Sequence, residues 1–117
     1  MKTITTEKKK KVKKVSPTQR SLKLLRDAGW VCAITEHWNP FAFIRQDLFG
    51  FVDILAIKHK AMLAVQTTSD DGSHMSSRVR KITDNPNYEL LKSTRCKIMV
   101  QGWKKVKNKW KVRIINL

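Results

Sequence analysis

Two polar side chains interrupt the most apolar part of this chain, the segment GFVDILAIKHKAMLAVQTT at residues 50–68. Asp53 lies inside the first apolar run, and Gln66 ends the second run, which follows a short basic turn. Burial of an unpaired carboxylate is costly, so Asp53 needs either a salt-bridge partner, such as Arg45 or Lys81, or a functional site.

These side chains are expected on a β-hairpin with strands at 51–57 and 61–68. Because side chains alternate along a strand, Gln66 and Thr68 share one face, and the hairpin can bring them close to Asp53. The rest of the pattern predicts a capped helix from Ser16 to Gly29, a strand at 30–38, a loop at 39–50, helices at about 75–82 and 84–92, and strands at 96–103 and 109–117. The fold class is therefore α/β, in the order αβββααββ.

Positive charge dominates the composition, with 25 Lys and Arg against 9 Asp and Glu and a net charge of +16. Residues 1–15 contain seven Lys and one Glu, so the remaining 102 residues still carry +10. A folded domain this basic usually binds a polyanion, most often nucleic acid. We expect residues 1–15 to be a disordered basic arm and residues 16–117 to be a single domain.

The sequence has no apolar run of about 18 residues that could span a membrane. Its N-terminal segment is polar and lysine-rich, which is not typical of a signal peptide. Cys32 and Cys96 have no metal-ligand spacing and are expected to be reduced residues of the core. These features predict an intracellular, cytoplasmic protein.

The Asp-bearing hairpin resembles the signature of the PD-(D/E)XK nuclease superfamily, in which Asp lies on the second strand of a meander and Glu-x-Lys on the third. The order of elements is similar over residues 16–103. Within this superfamily, the chain resembles archaeal-type Holliday junction resolvases and small viral nucleases of the VRR-NUC kind. The segments RQDLFGFVD (45–53), QTTS (66–69) and RVRKI (78–82) are also similar to small phage and bacterial proteins. The resemblance implies a restriction-endonuclease-like core, with a mixed central sheet flanked by helices.

The same resemblance implies hydrolysis of DNA phosphodiester bonds with Mg²⁺ or Mn²⁺, in DNA recombination or repair. Asp53 would be a metal ligand, Gln66 would take the place of the second acid, and the Thr67 carbonyl would complete the set. Thr68 would stand where the superfamily has its catalytic lysine. Since Gln66 is neutral and Thr68 has no positive charge, the chemistry has either relocated or been lost. The candidates for relocated groups are the acids Glu36 and Asp47 and the cations Arg78 and Lys81.

DNA phosphates are expected to contact basic groups near the hairpin and on the C-terminal strands, namely Arg45, Arg78, Arg80, Lys81, Lys104, Lys105, Lys107 and Lys109. Trp103 and Trp110 would then be platforms for DNA backbone or unstacked bases. In the alternative interpretation, the two indoles pack against each other across the strands and the lysines keep a sheet edge soluble.

The expected function is therefore that of a DNA endonuclease that selects branched DNA by its structure and reads no base sequence. A homodimer is expected by analogy with the resolvases. Two alternatives stay open. One is a catalytically inactive DNA-binding module of the same fold, which the changes at Gln66 and Thr68 favour. The other is a small basic RNA-binding protein, which leaves Asp53 unexplained.

Overall fold

Three helices and seven strands make up the computed structural model, which describes residues 14–117. In chain order they are α1 (Pro17–Asp27), β1 (Val31–Ile34), β2 (His37–Asn39), β3 (Ile44–Gln46), β4 (Ile54–Lys58), β5 (Ala61–Ser69), α2 (His74–Thr83), α3 (Asn87–Ser93), β6 (Lys97–Val106) and β7 (Lys109–Asn116). The predicted α/β class with a mixed sheet is confirmed. The predicted arm lies outside the described residues, except for its last two positions.

The predicted order αβββααββ is wrong in one place, because two additional short strands follow β1. The segment expected as one strand at 30–38 stops at Ile34, and β2 then pairs with β3 inside the expected loop. The partner segment is the physical reason: Leu48 bridges to Val52 across a tight turn, so beyond Asp53, whose carbonyl accepts from the Thr35 amide at 2.8 Å, no extended residues remain for the first strand to pair with. Val52 and Asp53 also precede β4, which begins only at Ile54.

The five-stranded sheet has the order β1-β4-β5-β6-β7. All neighbours are antiparallel except β5 and β6, which run parallel. A parallel pair needs a crossover connection, and α2 with α3 supplies it. The register of β4 on β5 places Ile54 opposite Val65, so Asp53 lies at the level of Gln66.

Both faces of the sheet are covered. On one face, α1 packs on a cluster that comprises Leu22, Leu25, Ile54, Ala56, Leu63 and Val65. On the other face, a second cluster includes Phe51, Val52, Ala64, Met75, Ile82, Tyr88, Ile98 and Val100. A strand that is buried on both faces is apolar along its whole length, which explains the continuous apolar run of β5 up to Gln66.

The helix ends agree with the sequence pattern. Ser16 caps α1 as predicted, since its Oγ accepts a hydrogen bond from the Gln19 amide at 3.1 Å. The segment 84–86 separates two helices, since Asp84 is the C-cap of α2 and Pro86 is the N-cap of α3, which begins at Asn87. Within residues 14–117, none of the helices is long and apolar enough to cross a membrane.

Candidate active site

A polar cleft of about 450 Å³ opens at the end of β5. Four parts of the chain form its walls: the first turn of α1, the β2–β3 segment, the hairpin β4–β5, and α2. The lining residues are Pro17, Thr18, Glu36, Arg45, Asp47, Asp53, Gln66, Thr67, Thr68, Ser69, Arg78 and Lys81. The structure therefore brings together in one cleft every residue predicted for the catalytic and metal sites.

Asp53 is buried at the bottom of this cleft, with only 3% of its surface exposed. Its Oδ2 accepts hydrogen bonds from Gln66 Nε2 at 2.6 Å, from the Thr67 amide at 2.8 Å and from Thr67 Oγ1 at 3.2 Å. Within residues 14–117, no salt bridge reaches this carboxylate. Neutral donors alone hold it, so the alternative of a structural salt bridge to Arg45 or Lys81 is wrong.

Three carboxylates converge in the cleft, although they come from separate parts of the chain. Glu36, Asp47 and Asp53 each offer an oxygen atom, and these atoms lie within 4.8 Å of one another. Burial raises the pKa of Asp53 to about 7, and the neighbouring Asp47 and Glu36 contribute to the rise, while the Thr67 amide opposes it. Like charges held this close favour the uptake of a proton or a cation.

Cations lie beside two of the three acids. Lys81 Nζ is 3.0 Å from Asp47 Oδ2, and the Arg45 guanidinium is 3.8 Å from Glu36 Oε1. Arg78 also lines the cleft, and its Nε is buried without a hydrogen-bond partner among the described residues. Arg80, which was predicted to contact DNA with them, is exposed on α2 and is not part of the cleft lining.

Gln66 and Thr68 lie where the resemblance places an acid and a lysine. Gln66 donates to Asp53 through Nε2, while its buried Oε1 has no partner in the described part of the chain. Thr68 is buried in the cleft wall. A carbonyl oxygen without a donor can still accept a hydrogen bond or bind a cation. Gln66 is thus compatible with a metal site, whereas Thr68 adds no positive charge.

Thr18 contacts the site but was not among the predicted site residues. Thr18, in the first turn of α1, has its Oγ1 2.7 Å from Thr67 Oγ1 and 3.4 Å from Glu36 Oε1. Its hydroxyl links the helix to two of the three acids through these contacts. Helical spacing could have indicated that Thr18 is buried, since Thr18 extends the buried face of Leu22 and Leu25 by one turn.

The C-terminal strands β6 and β7 form a basic ribbon that continues past the end of β5, because Ser69 pairs with Trp103 and β6 runs on to Val106. A second cleft of about 400 Å³ lies between this ribbon and α1, and it shares Pro17 and Ser69 with the first. The ribbon exposes Lys104, Lys105, Lys107 and Lys109. These lysines therefore lie beyond the same end of the sheet at which the three acids lie.

The two indoles of the ribbon have different environments. The Trp103 indole N–H donates to Ser21 Oγ at 2.8 Å, which anchors the ring on α1. The Trp110 ring, with 44% of the residue exposed, lies 3.7 Å below the Arg20 guanidinium. The expected alternative, in which the two indoles pack against each other across the strands, is not seen in the described part of the chain: Trp103 lies opposite Val112, and Trp110 lies opposite Lys105.

Comparison of this chain with protein-family models, with curated proteins and with solved structures gives no match. The resemblance to the PD-(D/E)XK superfamily therefore stays a hypothesis based on the residues themselves.

Substitution of Gln66 by an acid gives a direct test of metal binding in the cleft. We expect Gln66→Glu to bind Mn²⁺ about 10-fold more tightly than the wild type, because a fourth negative charge joins the ligand oxygens. Isothermal titration calorimetry with Mn²⁺ measures the change. Asn116→Asp adds the same charge at an exposed position on β7 and serves as the control. Equal affinities in all three proteins would mean that the acid cluster does not hold the ion.

Proposed function

We propose that this protein is a metal-dependent DNA endonuclease with a restriction-endonuclease-like core. One observation carries the proposal: Glu36, Asp47 and Asp53 converge beside Lys81 in a single cleft of a strongly basic chain. Acids that gather against their own repulsion are characteristic of a site whose function needs them. The convergence also supports a relocated active site, in which Glu36 and Asp47 compensate for the missing acid at Gln66.

The donor set suits Mg²⁺ or Mn²⁺. Oxygen ligands at about 2.1 Å from one Mg²⁺ ion are separated by roughly 3 to 4 Å. The three carboxylate oxygens lie within 4.8 Å of one another, so small side-chain rotations would bring them to one ion. Asp53, Glu36 and Asp47 would hold the ion, with the unpaired Oε1 of Gln66 as a further ligand. When bound, the ion supplies Lewis-acid stabilisation of the phosphoryl oxygens and a more acidic water.

The cations of α2 have a distinct task in this proposal. Lys81 lies 3.0 Å from Asp47, and Arg78 faces the cleft with an unsatisfied Nε. Both are thus available to bind a phosphate oxygen and to stabilise the negative charge that develops there. Lys81 on α2 would thus supply the positive charge that the superfamily takes from a lysine at the position of Thr68 on β5.

The surroundings of the cleft suit a long polyanion. The basic ribbon and its neighbouring cleft continue from the acid cluster along the same edge of the sheet, so a DNA backbone bound at Lys81 can pass over Lys104 and Lys105. Contacts of this kind position the nucleic acid without reading its bases. The proposed substrate is therefore DNA recognised by structure, with branched DNA as the class that the resemblance favours.

A cleavage assay on a panel of DNA structures tests the proposal. Four-way junction, flap, nicked, duplex and single-stranded DNA are incubated with Mg²⁺, with Mn²⁺ and with a chelator. We expect cutting with either metal, no cutting with the chelator, and the fastest cutting on a branched substrate. Cutting that persists in excess chelator would contradict a metal-dependent mechanism.

The second candidate function is a DNA-binding module that has lost its chemistry. The specific observation in its favour is the pair of neutral residues, Gln66 and Thr68, at the positions of an acid and a lysine. Binding of DNA without cutting under any metal would identify this module. A strong preference for RNA over DNA in the same panel would instead support an RNA-binding protein.

A further inference from the structure

The β2–β3 hairpin exposes aromatic side chains that nothing in the described structure covers. Phe41 at its tip is 93% exposed, Phe43 is 76% exposed, and Trp38 is 52% exposed. Ile44 adds a further exposed apolar side chain on β3. Single apolar residues are common on protein surfaces, but a cluster of aromatic residues on one projecting hairpin indicates an interaction site.

The conformation of this tip is specified by its own sequence. The Asn39 side-chain oxygen accepts hydrogen bonds from the Phe41 amide at 2.9 Å and from the Ala42 amide at 3.1 Å. Phe43 has a φ of 54°, a left-handed conformation that a bulky residue adopts only when its surroundings impose it. The Trp38 and Phe43 rings meet edge to face, with their centroids 6.4 Å apart. The aromatic cluster is thus preorganised.

Both ends of the hairpin lead into the acid cluster. Glu36 immediately precedes β2, and Asp47 immediately follows β3. Phe41 is five residues from Glu36, so at about 3.3 Å per residue the tip reaches roughly 15 Å from the acids. That reach is comparable with the width of the major groove, about 12 Å. A phosphate bound by Lys81 in the same cleft therefore has bases within reach of the aromatic tip.

The charges of the hairpin favour nucleic acid over a second copy of the chain. Residues 37–46 contain Arg45 and no acidic residue, and Arg45 lies directly opposite Trp38 in the register. A hairpin with this charge complements a polyanion. Two copies of a chain with a net charge of +16 repel each other, and their hairpins would meet without any compensating acid.

We propose that the β2–β3 hairpin is an aromatic wedge that stacks on bases beside the phosphate bound in the cleft by Lys81 and Arg78. Aromatic side chains stack on unpaired bases of any sequence, and apolar wedges open base steps in deformed duplexes. The wedge selects DNA in which bases are unpaired or easily unstacked, such as the branch point of a junction or a flap. This inference rests on the proposed function, because it places the DNA in the same cleft.

The test uses DNA with 2-aminopurine at the branch point and Ca²⁺ in place of Mg²⁺. Wild-type protein is expected to raise the fluorescence of this base analogue as the base leaves its stack. The Phe41→Ala, Phe43→Ala double variant is expected to lose that rise and to bind the branched DNA about 10-fold more weakly. Leu90→Ala is the matched control, because Leu90 is 68% exposed on α3, away from the cleft lining.

Unchanged fluorescence and affinity in the double variant would overturn the wedge. So would analytical ultracentrifugation that shows a wild-type dimer and a monomeric double variant, because a second copy would then cover the hairpin. Cleavage of the same DNA in Mg²⁺ separates the two proposals. Base unstacking without cleavage supports the wedge and refutes the nuclease, cleavage without unstacking does the reverse, and a protein that does neither refutes both.

Discussion

The Asp53→Asn variant is expected to cut DNA about 10²- to 10⁴-fold more slowly than the wild type, a loss of the size seen when a central catalytic group is removed. The physical reason is that Asp53 is the most buried of the three acids and has an oxygen atom within 4.8 Å of an oxygen of each of the other two. Asparagine keeps the shape and can still accept the hydrogen bond from the Thr67 amide, so the fold should persist. The rate of cleavage of the best substrate in Mg²⁺ measures the effect.

The same variant should bind DNA at least as tightly as the wild type, because the cleft has lost a negative charge that repels phosphate. This combination distinguishes a catalytic role from a loss of structure. Asp27→Asn is the control, since Asp27 forms only an exposed ion pair with Lys23 on α1. A wild-type cleavage rate in Asp53→Asn would refute the assignment of the active site to this cleft.

The metal-free wild type is expected to lose stability as the pH rises. Burial and the nearby acids raise the pKa of folded Asp53 to about 7, whereas an unfolded aspartate has a pKa of about 3.9. Between these two values the folded chain binds more protons than the unfolded chain. The free energy of unfolding therefore falls as the pH rises from about 4 to about 7. Above that range, the whole loss of stability caused by the ionisation of buried Asp53 is present.

Urea unfolding near pH 5 and near pH 8 measures this dependence, because ΔG falls linearly with the concentration of urea. Asp53→Asn removes the titrating group, so its stability should fall less over this range than that of the wild type. Mg²⁺ at pH 8 should raise the stability of the wild type and have little effect on the variant, since a ligand that binds only the folded state stabilises it. Identical pH profiles for the two proteins would show that Asp53 does not carry the raised pKa.

The β4–β5 hairpin was predictable because the sequence pattern that defines it is local. Two apolar runs joined by a basic turn define β4 and β5, and their register places Asp53 at the level of Gln66. The division of the expected first strand was not predictable, because it depends on Thr35 meeting the Leu48–Val52 turn, whose Val52 is seventeen residues further along the chain. A residue pattern does not indicate such a contact.

The composition of the site was predictable only in part. Glu36 and Asp47 were recognised as acids able to reach Asp53, but their convergence depends on the β2–β3 hairpin, which was expected to be part strand and part loop. Lys81 and Arg78 follow from the helical spacing of α2, whereas Arg80 lies outside the cleft lining. Thr18 was missed because a threonine in the first turn of a helix is ordinary, and only its tertiary contacts distinguish it.

The parallel pairing of β5 with β6 has a consequence for the order in which the chain folds. Paired residues in these strands are 34 positions apart, as with Leu63 and Lys97, whereas the β4–β5 turn closes locally. Local contacts form quickly and distant ones slowly, so the hairpin that holds Asp53 can form before α2 docks with Lys81. Until α2 docks, Asp47 lacks its partner Lys81, whereas Arg45 on β3 already accompanies Glu36, so a mildly acidic solution, which keeps Asp53 protonated, should favour the early association of the acids.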